Sequence, residues 1–323
     1  MDISVVIPTC RRPQLLLRCL EALCNQALEK ERYEIIVVSD GPDPITRNAL
    51  DMFIKDRQLN LRFILLPAKK GPAAARNAGW RHAESDLIAF TDDDCIPDKN
   101  WLKNFYEGSE HTAFNEFAFT GSTTVPIPAV PTDYELNISH LATAEFITAN
   151  CACSKKALFK TGGFDEAFTM AWREDSDLQF KFIQHRIPIV PIPTAVVTHP
   201  VRKATWGVSL KEEKKGIFNA LLYKKFPDLY RQKIQKQPPW LYYSILAFFV
   251  IFLAGVAADS TMTMVAGLSG WFFQTGWFIL KRLKCTSRSI NHVLEMVLTS
   301  VAIPFLSLYW RWYGALKYKT LMI

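Results

Sequence analysis

"DLIAFTDDDCIP", residues 86–97, decides the fold. A short apolar run ends in three adjacent carboxylates, Asp92, Asp93 and Asp94, and then a proline. Two unit charges ~5 Å apart at an effective dielectric near 20 repel by roughly 3 kcal/mol. Such a cluster needs a cation, hydrogen-bond donors or open water. Three earlier runs have the same make-up: "ISVVIP" (3–8), "EIIVVSD" (34–40) and "LRFILLP" (61–67), each bounded by Pro, Gly or Asp. Helical periodicity fills the gaps, first in Leu16, Leu20, Leu23 and Ala27. Continuous rather than alternating apolarity marks strands buried on both faces. Strand–helix alternation then predicts an α/β fold, a mostly parallel sheet flanked by helices.

Ligands of such sheets bind at the carboxyl ends of the strands. In extended backbone, side chains alternate, so Asp92 and Asp94 are expected on one side and Asp93 on the other. Oxygen ligands of this kind suit Mg²⁺ or Mn²⁺ shared with substrate phosphates. A solvated acidic turn is the plain alternative. Other strand ends argue for the ligand site. "VIPTCRRP" (6–13) and "VVSDGPD" (37–43) close strands one and two, and "GPAAARNAG" (71–79) puts small residues at a helix start, where backbone N–H groups can approach a phosphate. Close packing explains those alanines equally well. "GGFDEAFTMAWREDSDLQFKF" (162–182) runs into a helix opened by Glu174 and Asp175, with Leu178 and Phe182 on one face. Asp177 has Lys181 at i+4, a solvated ion pair. Asp175 has Gln179 there, so it enjoys the helix N-terminus and stays available to accept a proton. Glu174 reads as a capping or substrate-orienting residue.

The chain has 323 residues, 49% hydrophobic and 21% charged, with a net charge of +7. That suits an α/β domain with an appended part and excludes global disorder. The seven cysteines are odd in number and mostly lie in apolar runs, so reduced thiols packed as small hydrophobes are expected. "MDISVVIPT" lacks the basic start and apolar length of a secretory leader. Basic residues gather at 202–236. Uncharged runs at 240–258 and 262–280 follow, joined by "DST", and then "KRLKCTSR". Each run is long enough to span a bilayer, and the flanking cations place both ends in the cytoplasm. A third stretch, about 292–312, contains Glu295 and Pro304. A crossing would put the cations that follow it outside, so it is expected to lie in the interface or re-enter, with a third crossing as the alternative. The basic segment adjoins these runs, so anionic lipid explains it better than nucleic acid.

The set "VVIPTCRRP", "VVSDG", "GPAAARNAG", "TDDD" and "GGFDEAF…WREDSDL" resembles a family 2 glycosyltransferase of the GT-A fold over roughly residues 1–200. The resemblance implies an inverting, metal-dependent transfer from a nucleotide-diphosphate sugar. By it, Pro8, Thr9, Arg11, Asp40, Arg76, Asn77, Asp92 and Asp93 would line the nucleotide-sugar site. Asp92 and Asp94 would hold Mg²⁺ or Mn²⁺, with His199 completing the metal site. Asp175 would be the general base, with Trp172 and Glu174 orienting the acceptor. Ser39 stands where the family often has a second acid, which weakens base recognition through that loop. The expected organisation is a catalytic domain at 1–205, a basic membrane-proximal segment at 206–239 and a membrane region at 240–323. The expected setting is the cytoplasmic membrane, multi-pass, with the catalytic domain facing the cytoplasm. The acceptor is expected to be a lipid-linked or other glycan. Two rival readings are transfer to a polyprenyl phosphate and a non-catalytic membrane-tethered sugar-nucleotide binder.

Overall fold

The computed structural model describes residues 1–55, 57 and 59–322. Two compact units emerge, one of residues 1–126 and 139–201, the other of 127–138 and 202–323.

The first unit alternates strand and helix: β1 (Ile3–Thr9), α1 (Pro13–Cys24), β2 (Tyr33–Ser39), α2 (Pro44–Ile54), β3 (Leu61–Leu65), α3 (Pro72–His82) and β4 (Leu87–Thr91). These strands pair in parallel in the order β3-β2-β1-β4. Ile3, Val5 and Ile7 join a core with Leu16, Leu20 and Leu23 of α1, while Val6 joins the opposite core with Ala73 and Trp80 of α3. That alternation is what strands covered on both faces require. Helix α1 stops at Cys24, so Ala27 lies outside the periodic face and is exposed.

The rest of the sheet mixes the two directions. β5 (Ile96–Pro97), α4 (Trp101–His111), β6 (Ala118–Thr124), and, after α5 (Asp133–Ser139) of the second unit, β7 (Asn150–Ser154), α6 (Lys155–Thr161), α7 (Glu174–Gln184) and β8 (Ile189–Thr198) complete it. β6 and β8 are parallel, while β7 is antiparallel to β4 and β6, and β5 is antiparallel to β8. The sheet is therefore mixed, eight-stranded among the described residues. Its β6–β8 pairing slips between Gly121 and Ser122.

Asn150 repairs that slip. Its amide donates to the carbonyls of Ser122 and Ala195, at 2.8 and 3.0 Å, and accepts the Trp101 indole N–H at 2.8 Å. A side chain at Gly121 would meet the Ala195 oxygen at 2.3 Å, so only glycine leaves room for the amide. Asn150→Ala removes three hydrogen bonds, orphans the buried Trp101 N–H and Ala195 carbonyl, and should cost about 2 kcal/mol. For a domain of this size that lowers the apparent Tm by ~4–8 °C. An unchanged melting curve would show that water replaces the amide without loss.

The second unit contains α8 (Val208–Glu212), α9 (Ile217–Lys225), α10 (Pro227–Lys233), α11 (Trp240–Ala257), α12 (Thr261–Leu283) and α13 (Ile290–Tyr318). α11 and α12 form an antiparallel hairpin, with Gly255 against Met264 and Gly267 against Phe252. The 292–312 stretch lies within one continuous helix that runs through Pro304. Among the described residues, the two helices long and apolar enough to cross a membrane are α11 and α13. The expected second span, 262–280, lies in α12, where Gly, Ser, Thr and Gln dilute its apolar residues. Arg282, expected as a flanking cation, points inward: it pairs with Asp133 at 2.7 Å and donates to the hydroxyls of Thr299 and Ser300.

Candidate active site

Thr9, Asp40 and Asp92 stand at or just beyond the carboxyl ends of β1, β2 and β4, on one edge of the sheet. β4 ends at Thr91, and Asp92 to Cys95 form a turn closed by Cys95 N–H to the Asp92 carbonyl at 3.1 Å. Strand alternation therefore does not set the directions of the three acids; the turn sends them to three partners. Asp92 pairs with Arg76 at 2.7 Å. Asp93 accepts the Thr9 hydroxyl at 2.7 Å and faces the Arg12 Nε at 3.2 Å. Asp94 faces the His199 Nε2 at 3.9 Å. Burial pushes the Asp93 carboxyl up to about 6 against the pull of Arg12 and Thr9. Burial would raise Asp92 as well, but Arg76 and His199 hold it below its usual value.

Arg76 is 3% exposed and lies between two acids, with Glu174 at 3.2 Å on its other side. Burial first, then the neighbouring Asp175, pushes Glu174 up to about 7. Asp175 is half-buried and is also raised, by burial. One of its oxygens accepts the Ser176 N–H at 2.6 Å and the Ser176 hydroxyl at 3.3 Å. Its second oxygen has no partner among the described residues. Arg173 opens α7 in the left-handed region, with its guanidinium 4.6 Å from the ring of the exposed Trp172. Leu178 and Phe182 are fully buried, as the spacing predicts. Asp177 is fully buried too, so its pair with Lys181 at 3.1 Å is an internal tie and not a solvated one.

Several residues expected at the nucleotide hold the local fold. The Asp40 carboxylate accepts the backbone N–H groups of Lys70 and Gly71, at 2.6 and 3.0 Å. Gly71 has φ of 101°, and a side chain there would lie 2.5 Å from the Thr169 oxygen. The Gly71 N–H at the start of α3 is thus taken by Asp40. Asn77 donates to the Phe164 carbonyl and to Glu166, and accepts from Trp80 and the Phe164 N–H. That uses the whole amide. Pro8 and Thr9 are buried, whereas Arg11 is exposed with φ of 55°. Two residues went unselected in the sequence. Asp43 caps α2 through Thr46 and accepts the Arg11 N–H at 2.8 Å; Asp-Pro-x-Thr is a legible cap signal. Arg12, the second arginine of "CRRP", holds Asp93.

Residues 4–158 match the model of glycosyl transferase family 2. The chain carries a family 2 glycosyltransferase domain. It is similar to a chondroitin synthase of Escherichia coli, 25% identical over 275 residues, covering 72% of this chain and 39% of that protein. The chain spans 33–52% of the length of the first curated relatives it matches. Its fold is that of a mannosyltransferase from Pyrobaculum calidifontis in complex with GDP-Man and Mn²⁺, with TM-score 0.54 and 15% identity over 98% of this chain and 87% of that one. It is also that of S. aureus TarS 1–349 in complex with UDP-GlcNAc, with TM-score 0.52 and 17% identity over 85% and 92%.

In this glycosyltransferase domain, ligand atoms of Asp94, Cys95 and His199 lie within 4.8 Å of one another. Register explains the meeting: Ile96 pairs with Thr198 in the β5–β8 ladder, which brings His199 level with the turn. The Cys95 thiol belongs to the core, and burial, then Asp92 and Asp94, push it up, so it stays protonated. His199 Nδ1 is buried with no hydrogen-bond partner among the described residues. A carboxylate beside a buried imidazole fits a divalent cation, with Mn²⁺ better suited than Mg²⁺ to the nitrogen. Asp92, expected as the second ligand, lies outside this group.

Proposed function

We propose that the domain transfers a sugar, with inversion, from a nucleotide-diphosphate sugar to a hydroxyl of a glycan acceptor held on lipid. The observation that carries the reading is the unequal engagement of two adjacent acids: Glu174 is tied to Arg76, while Asp175 keeps one oxygen without a partner among the described residues. Asp175 takes the proton of the acceptor hydroxyl, which then attacks the anomeric carbon opposite the leaving diphosphate. Glu174 and Trp172 orient the acceptor. Arg11 and Arg12, at the mouth, attract the diphosphate. Asp94 and His199 would hold a divalent cation, which when bound acts as a Lewis acid on the diphosphate. Relatives in complex with UDP-GlcNAc and with GDP-Man support a nucleotide-sugar donor.

The acceptor reading rests on the second unit. α11 and α12 expose Val250, Leu253, Val256, Phe272 and Phe273, an apolar surface suited to lipid. We place α11 in the cytoplasmic membrane, with the catalytic domain on the side where nucleotide sugars are made.

The test is a screen of nucleotide sugars for release of nucleoside diphosphate by the detergent-purified full chain, with and without lipid extract. Release from one donor, stimulated by lipid extract and Mn²⁺, is expected. Binding of donors without any turnover would make the protein a sugar-nucleotide binder. His199→Gln should raise the Mn²⁺ needed for half-maximal turnover by roughly tenfold, the scale on which metal sites respond to altered surroundings. An unchanged Mn²⁺ titration would remove His199 from the site.

A further inference from the structure

Two cavities adjoin in the second unit. The larger, about 410 Å³, lies among α9, the start of α11, α12 and α13, and its polar lining is Asn219, Gln235, Lys281, Ser307 and Arg311. The smaller, about 200 Å³, adds Arg231 and Lys236 beside Tyr223 and Tyr230. Gln235 and Arg311 line both. Arg311 is 9% exposed and donates to the Gln235 side-chain oxygen at 3.0 Å. Arg231 donates to the Tyr223 hydroxyl at 2.7 Å. Four cations thus converge on joined cavities, and no carboxylate is among their described lining residues. Glu213, the nearby acid, takes the hydroxyl of Ser307 and is pushed up by burial.

We propose that these cavities bind the phosphate headgroup of a membrane lipid. Amide, hydroxyl, ammonium and guanidinium donors around one space recognise a phosphate, which brings acceptor oxygens only. A lipid source follows from what surrounds the opening. Trp240, 60% exposed, lines the larger cavity and opens the apolar helix α11. Trp277, 59% exposed, sits one turn before Lys281 on the same face of α12, and Leu280 is 64% exposed beside it. An acyl or prenyl chain leaving the headgroup meets this apolar strip. Indole at such a boundary is the ordinary partner of a headgroup region.

The proposal is independent of the transfer reaction, because its readout is binding. Native mass spectrometry of the full chain in detergent should show a retained adduct with dioleoyl phosphatidic acid and none with dioleoyl phosphatidylcholine. Lys281→Gln should weaken the adduct about fivefold, and the double variant with Arg311→Gln roughly 25-fold, at ~1 kcal/mol per cation. Lys284→Gln, three residues on and outside both cavities, should leave it unchanged. Lys281 is exposed, so that variant keeps its fold even if loss of Arg311 does not. Displacement of the adduct by millimolar inorganic phosphate would show that the headgroup alone suffices. Resistance to displacement would show that the lipid chain contributes. Equal retention of phosphatidylcholine, or equal weakening by the Lys281 and Lys284 substitutions, would overturn the site.

Discussion

Asp175→Asn should bind a nucleoside diphosphate with near-wild-type affinity and lose glycosyl transfer by at least ~10²-fold, the usual scale of a lost general base. Asn keeps the size of the side chain and its acceptor oxygen for the Ser176 N–H, so α7 should start in the same place. Only the capacity to take a proton disappears. Calorimetry on the purified variant measures the first half of the claim and single-turnover transfer the second. Lost nucleotide binding, with transfer falling in proportion, would move Asp175 to the donor site. Near-normal transfer would mean an acceptor that is already ionised, such as a lipid phosphate.

The same pair of acids fixes a pH dependence. Glu174 is pushed up to about 7 and Asp175 is raised beside it. As pH falls through that range the pair takes up a proton, and a protonated base cannot act, so transfer should decline on the acid side. Glu174→Gln removes one negative neighbour, which lowers the Asp175 carboxyl and moves the acid limb to lower pH. An acid limb that stays in place would show that Asp175 titrates without sensing Glu174.

Local pattern and long-range pairing divide what could be read from the chain. The first four strands are legible because each is a continuous apolar run closed by a turn residue, and their parallel pairing follows from the helices between them. The mixed half is not. β5 has two residues, too few for a pattern, yet its pairing with β8 delivers His199 to Asp94. His199 could therefore be proposed only by resemblance. Asp92, Asp93 and Asp94 were legible as a cluster but not by direction, because a turn, and not a strand, carries them. Asn77 and Asp40 show a different limit. A polar residue at a strand end or helix start reads as a ligand group, yet each fastens backbone here, through partners 31 and 87 residues away. Residues 127–138 lie between two strands of the first unit and cluster with the second, tied there by Arg282 to Asp133, 149 residues apart. Composition carries no trace of such a tie.

Arg76→Gln should destabilise the domain by about 4 kcal/mol, the range for removing one partner of a buried ion pair. The guanidinium is 3% exposed and holds Asp92 and Glu174 together. Asp92 is 28% exposed along its side chain and can rehydrate, whereas Glu174, at 6%, cannot. The cost therefore falls mainly on Glu174, whose carboxyl rises further once the cation is gone. A carboxyl raised in the folded state favours folding while protonated and withdraws that stability as pH rises through its folded value. The deficit of Arg76→Gln should accordingly be largest above pH ~8 and shrink towards pH ~5, where Glu174 is protonated in wild type as well and only Asp92 still pairs with the cation. The Arg76→Gln, Glu174→Gln double variant removes the stranded acid and should recover part of the loss. Apparent Tm across pH reads all three, at ~2–4 °C per kcal/mol for a domain of this size. A deficit independent of pH, or a double variant no more stable than Arg76→Gln alone, would mean that Arg76 acts through packing and not through its two carboxylates.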